Sequence, residues 1–375
     1  MLFKEVIGQN QIKEDLLSSV HNNRISHAQL FCGPEGSGNL PLALAYAQYI
    51  NCTNKQENDA CGNCPSCIKF NKLAHPDLHF VFPVATNKKI KKHPVSDNFI
   101  EEWRHAVREQ PYLNLNYWYN YIEINKGQGS IQNEESSQIL KKLQLKTYES
   151  EYKIMIIWMA EKMNVTCANK LLKIFEEPPE KTLFLLLAEN TDSMLQTILS
   201  RTQIRYIPKI DKQSLSEKLS NDYNLEQTDL QAIVHNANGN YLKANRLAQS
   251  EDENKEFFTF FTQLMRLSFA KNLVEATKLS DTLAEYSREK QKSFIQYSLN
   301  IIRENFILNQ QQNDIVYLYK QERDFSEKFH IYIHERNIAP ITKELNEVYF
   351  HIERNGNAKI IFFDLIIKLM ILLRA

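Results

Sequence analysis

Through the first half of the chain, short apolar or β-prone runs alternate with stretches of helical periodicity. Residues 28–32, 78–82, 153–158, 182–188 and 203–206 are runs of strand length and predict five strands. Between them, residues 40–50, 134–145 and 164–177 repeat apolar positions at helical spacing; the last is closed by Pro178 and Pro179, which cannot continue a helix. Strands separated by helices predict a doubly wound α/β domain, a parallel sheet with flanking helices, ending at about residue 208. After Pro208 the strand signal fades. Residues 209–249 hold two or three short helical patterns and predict a small helical domain. Residues 250–375 are helical nearly throughout, with Pro340 and Gly356 as breakers, and predict an all-helical third domain. The most apolar stretch, residues 360–373, contains Asp364 and Lys368 and falls short of the roughly 20 residues that span a bilayer. It predicts a buried helix, and no membrane partner is expected.

Length and charge narrow the function. At 375 residues the chain exceeds one compact core, which favours the three-domain division. Its 45 basic and 45 acidic residues give a formal net charge of zero. That argues against a protein gripping nucleic acid through an overall basic field, so any DNA contact has to be shared or local. The opening MLFKEVIGQNQ lacks a basic segment followed by an apolar one, so a secretory signal is not expected and a cytoplasmic location is.

In a reducing cytoplasm, clustered cysteines point to metal and not to disulfides. Cys52, Cys61, Cys64 and Cys67 follow the spacing C-x₈-C-x₂-C-x₂-C, and four sulfur ligands favour tetrahedral zinc in a closed structural site. Lys55 and Lys69 nearby favour thiolates; four reduced free thiols are the competing reading. A deaminase zinc is excluded, because its His-x-Glu belongs upstream, and His351-Ile352-Glu353 lies far downstream. Cys32 and Cys167, alone in apolar runs, read as small core residues.

The first predicted strand runs into Gly33-Pro34-Glu35-Gly36-Ser37-Gly38-Asn39-Leu40, a glycine spacing of the P-loop kind. A working P-loop wraps phosphates with backbone N–H groups, follows its last glycine with a lysine for the β/γ oxygens, and then places Ser or Thr on Mg²⁺. Here those positions are Asn39 and Leu40, one without charge and the other without oxygen. The end of the third predicted strand, where an ATPase needs carboxylates for metal and water, carries Trp158 and Met159. Two failures in one site predict that no ATP is bound or hydrolysed. A chance glycine-rich turn is the bland alternative.

These residues, with several others in the same order, resemble the delta-prime family of bacterial DNA polymerase III clamp-loader subunits. Val6-Ile7-Gly8-Gln9 is similar to the family's opening box, and His75-Pro76-Asp77 follows the cysteines as the family has it. Residues 168–179 are similar to its helix ending in Glu-Glu-Pro-Pro, and Leu199-Ser200-Arg201-Thr202 to its Ser-Arg-Cys motif, departing at Thr202. The resemblance covers roughly the first 250 residues. It implies an AAA+-type P-loop domain, a helical lid over 209–249 and a helical collar over 250–375. The implied partners are gamma/tau-type ATPase subunits and delta, in an open ring that loads a sliding clamp onto primed DNA. It implies a zinc module at the cysteines, and an arginine, Arg201, directed into the ATP site of the adjacent subunit. Planar, permanently charged guanidinium suits that task. A surface ion pair is the ordinary reading of such an arginine. In the lid, Gly239-Asn240-Tyr241-Leu242 has leucine where the family's ATPases carry a sensor arginine, with Lys243 one place on.

Two features stay outside this account. Lys88, Lys89, Lys91 and Lys92 form a basic run that reads either as a solvated loop or as a contact for phosphates or an acidic partner. Tyr112, Tyr117, Trp118, Tyr119 and Tyr121 read as packing of an inserted element or as a base-stacking platform. Two rivals to the clamp-loader reading stand: an ATPase with a divergent loop that draws on Lys170 or Lys243, and an AAA+-like adaptor in DNA repair or transcription.

Overall fold

The structure is a computed structural model describing residues 1–124, 129–249 and 251–374. Ser250 and Ala375, the expected bounds of the third domain, lie outside the described residues. Five strands, β1 (Ala28–Cys32), β2 (Leu78–Val81), β3 (Lys153–Trp158), β4 (Thr182–Ala188) and β5 (Gln203–Tyr206), form one sheet in the order β2-β3-β4-β1-β5. All four pairings are parallel. β1, β3 and β4 are buried at every position, which is why they read as mainly apolar runs and not as alternations. Their side chains still alternate between two cores. Phe31, Ile154, Ile156, Leu183 and Leu185 face one, with Trp103, Trp118 and the helix Asn39–Ile50. Leu30, Met155, Ile157, Phe184 and Leu186 face the other, with Leu171 and Phe175 of the helix Val165–Glu176. β5 is an edge strand and keeps charge and polarity at Gln203 and Arg205.

Contacts divide the chain into two compact units: Met1–Lys218 with Ala237–Ala244, and Leu219–Asn236 with Asn245–Ala375. The second is helical, centred on Phe261, Phe294, Ile302, Ile341, Leu345 and Leu365. Its apolar helix Ala358–Leu372 buries Phe362, Leu365, Ile366 and Leu369 but leaves Ile360 and Ile371 exposed, so it is buried along one face and not all round. Pro340 does not act as a breaker: it lies inside the helix Glu335–Glu353. In the second turn it forgoes a single bond, to Arg336, and the packed face carrying Ile341 and Leu345 outweighs that loss. Among the described residues, no helix is long and apolar enough to cross a membrane.

One buried acid gives this unit a pH dependence. Glu322 is 4% exposed; its carboxylate accepts the Tyr297 hydroxyl and, at 3.0 Å, the Tyr319 N–H, closing the N-terminus of the helix Lys320–Phe329. Burial pushes the carboxyl up to about 7 from its ordinary 4.5, against the opposing bonds from Tyr297 and Tyr319. The folded state therefore favours the protonated acid. Its contribution is fully present below pH 4.5 and is lost as pH rises through 7, a difference of about 3 kcal/mol at 1.36 kcal/mol per pH unit. Glu322→Gln, which keeps one acceptor for Tyr319 and gains a donor for Tyr297, is expected to flatten this part of the dependence. Thermal melts at pH 5 and pH 8 check it, and an equal fall of both proteins' midpoints would refute the assignment.

Candidate functional site

The glycine loop leaves the carboxyl end of β1 and enters the helix Asn39–Ile50 through Gly38, whose φ is 100°. Its shape depends on missing side chains. A Cβ on Gly33 would sit 2.3 Å from the Ile207 carbonyl, and one on Gly36, whose φ is 74°, 2.0 Å from Asn240 Oδ1. Asn39, where a P-loop has its lysine, turns back into the fold. Its Nδ2 donates to the Gly33 and Ala188 carbonyls at 2.8 and 3.2 Å, and its Oδ1 accepts from Ser37 Oγ at 3.0 Å. The residue that would reach phosphate instead ties the loop to the end of β4.

Other parts of the chain hold the loop from outside. Gln9 of the opening box donates to the Ser37 carbonyl at 3.0 Å and the Pro208 carbonyl at 2.7 Å. Glu35 is held between Asn114 Nδ2 at 3.1 Å and Asn240 Nδ2 at 3.2 Å, and the Tyr241 N–H donates to the Gly36 carbonyl. The Tyr112 ring lies 3.2 Å from where a Gly38 Cβ would be, while its hydroxyl accepts the Ile7 N–H at 2.9 Å. Leu40, Trp158 and Met159 are all buried, Trp158 against Trp103. What is left between Pro34, Gly36, Leu40, Tyr112, Trp158 and Met159 is a cavity of about 40 Å³. A single water needs about 10–15 Å³ of such space, and ligand sites run to about 300 Å³ or more.

The ionisable groups nearby are acids, not the cations that hold phosphate. Burial raises Glu189, and the charges of Glu161 and Glu35 raise it further; Glu161, itself raised by burial, accepts the Glu189 N–H at 3.0 Å. Sequence reading missed Glu161, Glu189, Gln9, Asn114 and Tyr112 as parts of this site, because their roles come from contacts distant in sequence.

Arg201 is elsewhere. It follows the short helix Gln196–Leu199 and precedes β5, so it sits at the amino end of a strand parallel to β1, whereas the glycine loop sits at the carboxyl end. At about 3.3 Å per residue, the paired length alone separates the two by about 10 Å or more. Arg201 Nε donates to Glu176 Oε1 at 2.6 Å, and Nη1 to the Thr197 carbonyl at 2.9 Å and Ser200 Oγ at 3.2 Å. The fold thus brings the Ser-Arg-Thr segment against the last residue of the helix that ends in Glu-Glu-Pro-Pro. Thr202 Oγ1 donates to the Ile198 carbonyl at 3.1 Å, an anchoring role for the residue that departs from the family's cysteine.

The four clustered cysteines converge, their sulfurs all within 4.8 Å of one another, with Cys52–Cys61 at 3.6 Å and Cys61–Cys67 at 3.9 Å. Tetrahedral zinc with Zn–S of about 2.3 Å requires sulfur separations of about 3.8 Å. Backbone N–H groups of Cys61, Cys64 and Cys67 already point at the sulfurs of Cys52, Cys61 and Cys64. Burial pushes the Cys67 and Cys52 thiols up; at Cys64, bonds from Thr53 and Cys67 overcome burial and bring the thiol down to about 6. Cys32 and Cys167 are buried core residues, as read.

His75-Pro76-Asp77 is a structural latch. Asp77 accepts the N–H groups of Tyr148, Glu149 and Ser150 at 2.7, 3.0 and 2.9 Å, fixing the approach to β3 and holding its carboxyl below the usual range despite burial. His75 Nδ1 accepts the Asp77 N–H, so its Nε2 carries the proton facing Ser150 Oγ; that tautomer cannot act as a base toward the serine. The aromatics of the insertion are packing residues. Trp118 is buried with its Nε1 on the Pro83 carbonyl, Tyr119 donates to the Gly129 carbonyl, and Tyr117 to Glu109.

Residues 8–211, more than half of the chain, match the family model described as DNA polymerase III, delta subunit. The chain belongs to that family. It is 27% identical over 247 residues to DNA polymerase III subunit delta' of Bacillus subtilis, covering 65% of this chain and 60% of that protein. To the tau subunit of the same organism it is 24% identical over 229 residues, covering 61% and 33%. The chain thus spans less than two thirds of the length of these relatives. A solved DNA polymerase III gamma subunit-related protein of Thermotoga maritima aligns with 96% of this chain and 99% of its own, at 14% identity and a TM-score of 0.41.

Proposed function

We propose that this chain is a clamp-loader subunit that neither binds nor hydrolyses ATP and that lends Arg201 to the ATP site of a neighbouring ATPase subunit. Its partners are then gamma/tau-type ATPase and delta subunits, and through them the sliding clamp and primed DNA, in the cytoplasm. The observation that carries the reading is the filled loop: Asn39 is spent on the Gly33 and Ala188 carbonyls, and about 40 Å³ lies where phosphates belong. The small space beside the acids Glu35 and Glu189 supports this reading further than the lost motif residues do alone. The position of Arg201, on the far end of the sheet from its own loop, supports service in trans. Cys52, Cys61, Cys64 and Cys67 fit structural zinc in ligand type and separation, and would hold it as a closed four-sulfur site.

Calorimetric titration of the chain with Mg·ATP tests the first half. No saturable binding is expected up to millimolar nucleotide, and micromolar binding would overturn the reading in favour of an ATPase with a divergent loop. Association with the ATPase subunits tests the second half, and its absence would favour an adaptor outside replication.

A further inference from the structure

We propose that the loop of residues 87–92 is a contact site for the phosphate backbone of nucleic acid. It leaves the sheet beyond the carboxyl end of β2, an edge strand. Lys88, Lys89, Lys91 and Lys92 are all exposed, and none has an ion-pair partner among the described residues. The nearby carboxylate of Glu134 is already taken by His93 at 3.0 Å. In a chain of zero net charge, this is a local field of four uncompensated positive charges.

The loop is also built to hold its shape. Asn87 Oδ1 accepts the N–H groups of Lys89 and Ile90 at 2.9 and 2.8 Å, its own N–H reaches the Ile90 carbonyl, and its Nδ2 donates to the Ile122 carbonyl at 3.0 Å. Ile90, between the two lysine pairs, packs on the core. A solvated charge run needs no such anchoring. The backbone turn is therefore fixed before any partner arrives, which lowers the ordering cost of binding.

Two observations choose nucleic acid over an acidic protein. Protein interfaces centre on exposed apolar or aromatic anchors and are depleted in lysine. Residues 86–124 expose no large hydrophobic side chain, and their aromatics are engaged internally. Phosphate contacts require only the point charges that lysines supply. With no free ring to stack on bases, recognition is independent of sequence. The inference depends neither on Arg201 nor on the state of the glycine loop.

The test is fluorescence anisotropy of a labelled DNA duplex with the full chain between 50 and 200 mM salt. Four contacts add about −3.6 to the slope of log K against log salt. Changing Lys88, Lys89, Lys91 and Lys92 to glutamine together is expected to make the slope shallower by about 3 to 4. The same change at Lys146, Lys173, Lys209 and Lys343, matched in charge, is expected to leave it within about one unit. Equal slopes for the wild type and the loop variant overturn the proposal, as does an equal loss in the control. Displacement of the duplex by polyglutamate more effectively than by unlabelled duplex, at equal charge concentration, replaces it with the acidic-protein reading.

Discussion

Arg201→Ala is expected to slow DNA- and clamp-stimulated ATP turnover at the one site it serves in the reconstituted assembly by about 10³-fold or more, while subunit association is retained. An arginine supplied in trans offsets charge that develops only in the transition state, so its loss falls on kcat more than on nucleotide affinity. The competing account is the ion pair with Glu176, and magnitudes separate the two. Both partners are partly exposed, with side chains at 28% and 48%, and exposed pairs are worth about 0–1 kcal/mol. A finger worth 10³ to 10⁵ in rate corresponds to about 4–7 kcal/mol. Exchanging Glu176 for a neighbour's triphosphate would therefore cost little against what a finger would contribute. Arg201→Lys keeps the charge but loses the planar fork and should recover only part of the rate. Glu176→Gln separates positioning from chemistry: a small change in rate is expected, with nucleotide affinity unaltered. An unchanged ATPase in Arg201→Ala would leave Arg201 as a surface ion pair and remove the role in trans.

The parts of this molecule that were legible in sequence were those written locally. β1, β3 and β4 are buried on both faces, so they read as mainly apolar runs, interrupted in β1 by Gln29 and opened in β3 and β4 by Lys153 and Thr182. β2 ends at Val81, one residue earlier than its apolar run, because the Phe82 N–H leaves the ladder for Ser96 Oγ at 3.0 Å. The departures from the P-loop pattern at Asn39, Leu40, Trp158 and Met159 were visible because each is a single residue at a motif position. What fills the space around them was not. Asn240 reaches Glu35 across 205 positions and Asn114 across 79, and no pattern along the chain announces either contact. The pairing of Arg201 with Glu176 is of the same kind, since two surface segments meet only once the sheet has placed them. Pro340 shows the converse: a strong local signal overridden by the packing of a long amphipathic helix.

The cysteine cluster carries the second large effect. Metal analysis of the purified chain is expected to give about one zinc per chain, as a single four-ligand set requires. Chelation, or Cys61→Ser with Cys64→Ser, should destabilise the α/β unit by about 4 kcal/mol, the linkage expected at free zinc 1,000-fold above its Kd. That corresponds to a fall in melting midpoint of about 10 °C. The loss should spread because the module is a joint and not an appendage. Asp59, between Cys52 and Cys61, accepts the N–H groups of Phe3 and Lys4 at 2.9 and 3.1 Å, fixing the segment that leads into Val6-Ile7-Gly8-Gln9. Ser66 Oγ donates to the Asn51 carbonyl at 2.8 Å, at the end of the helix that begins at the glycine loop, and Cys67 is fully buried in the core beside that helix. Without metal, four adjacent thiols would keep only weak sulfur hydrogen bonds, and the loop between Cys52 and Cys61 would have no crosslink. Gln9, whose amide holds the glycine loop shut, depends on the same N-terminal segment. Zinc loss should therefore appear as faster amide exchange at residues 3–9 and 33–39 as well as at the cysteines. A metal-free chain with the same melting curve and exchange pattern would show that four reduced thiols suffice.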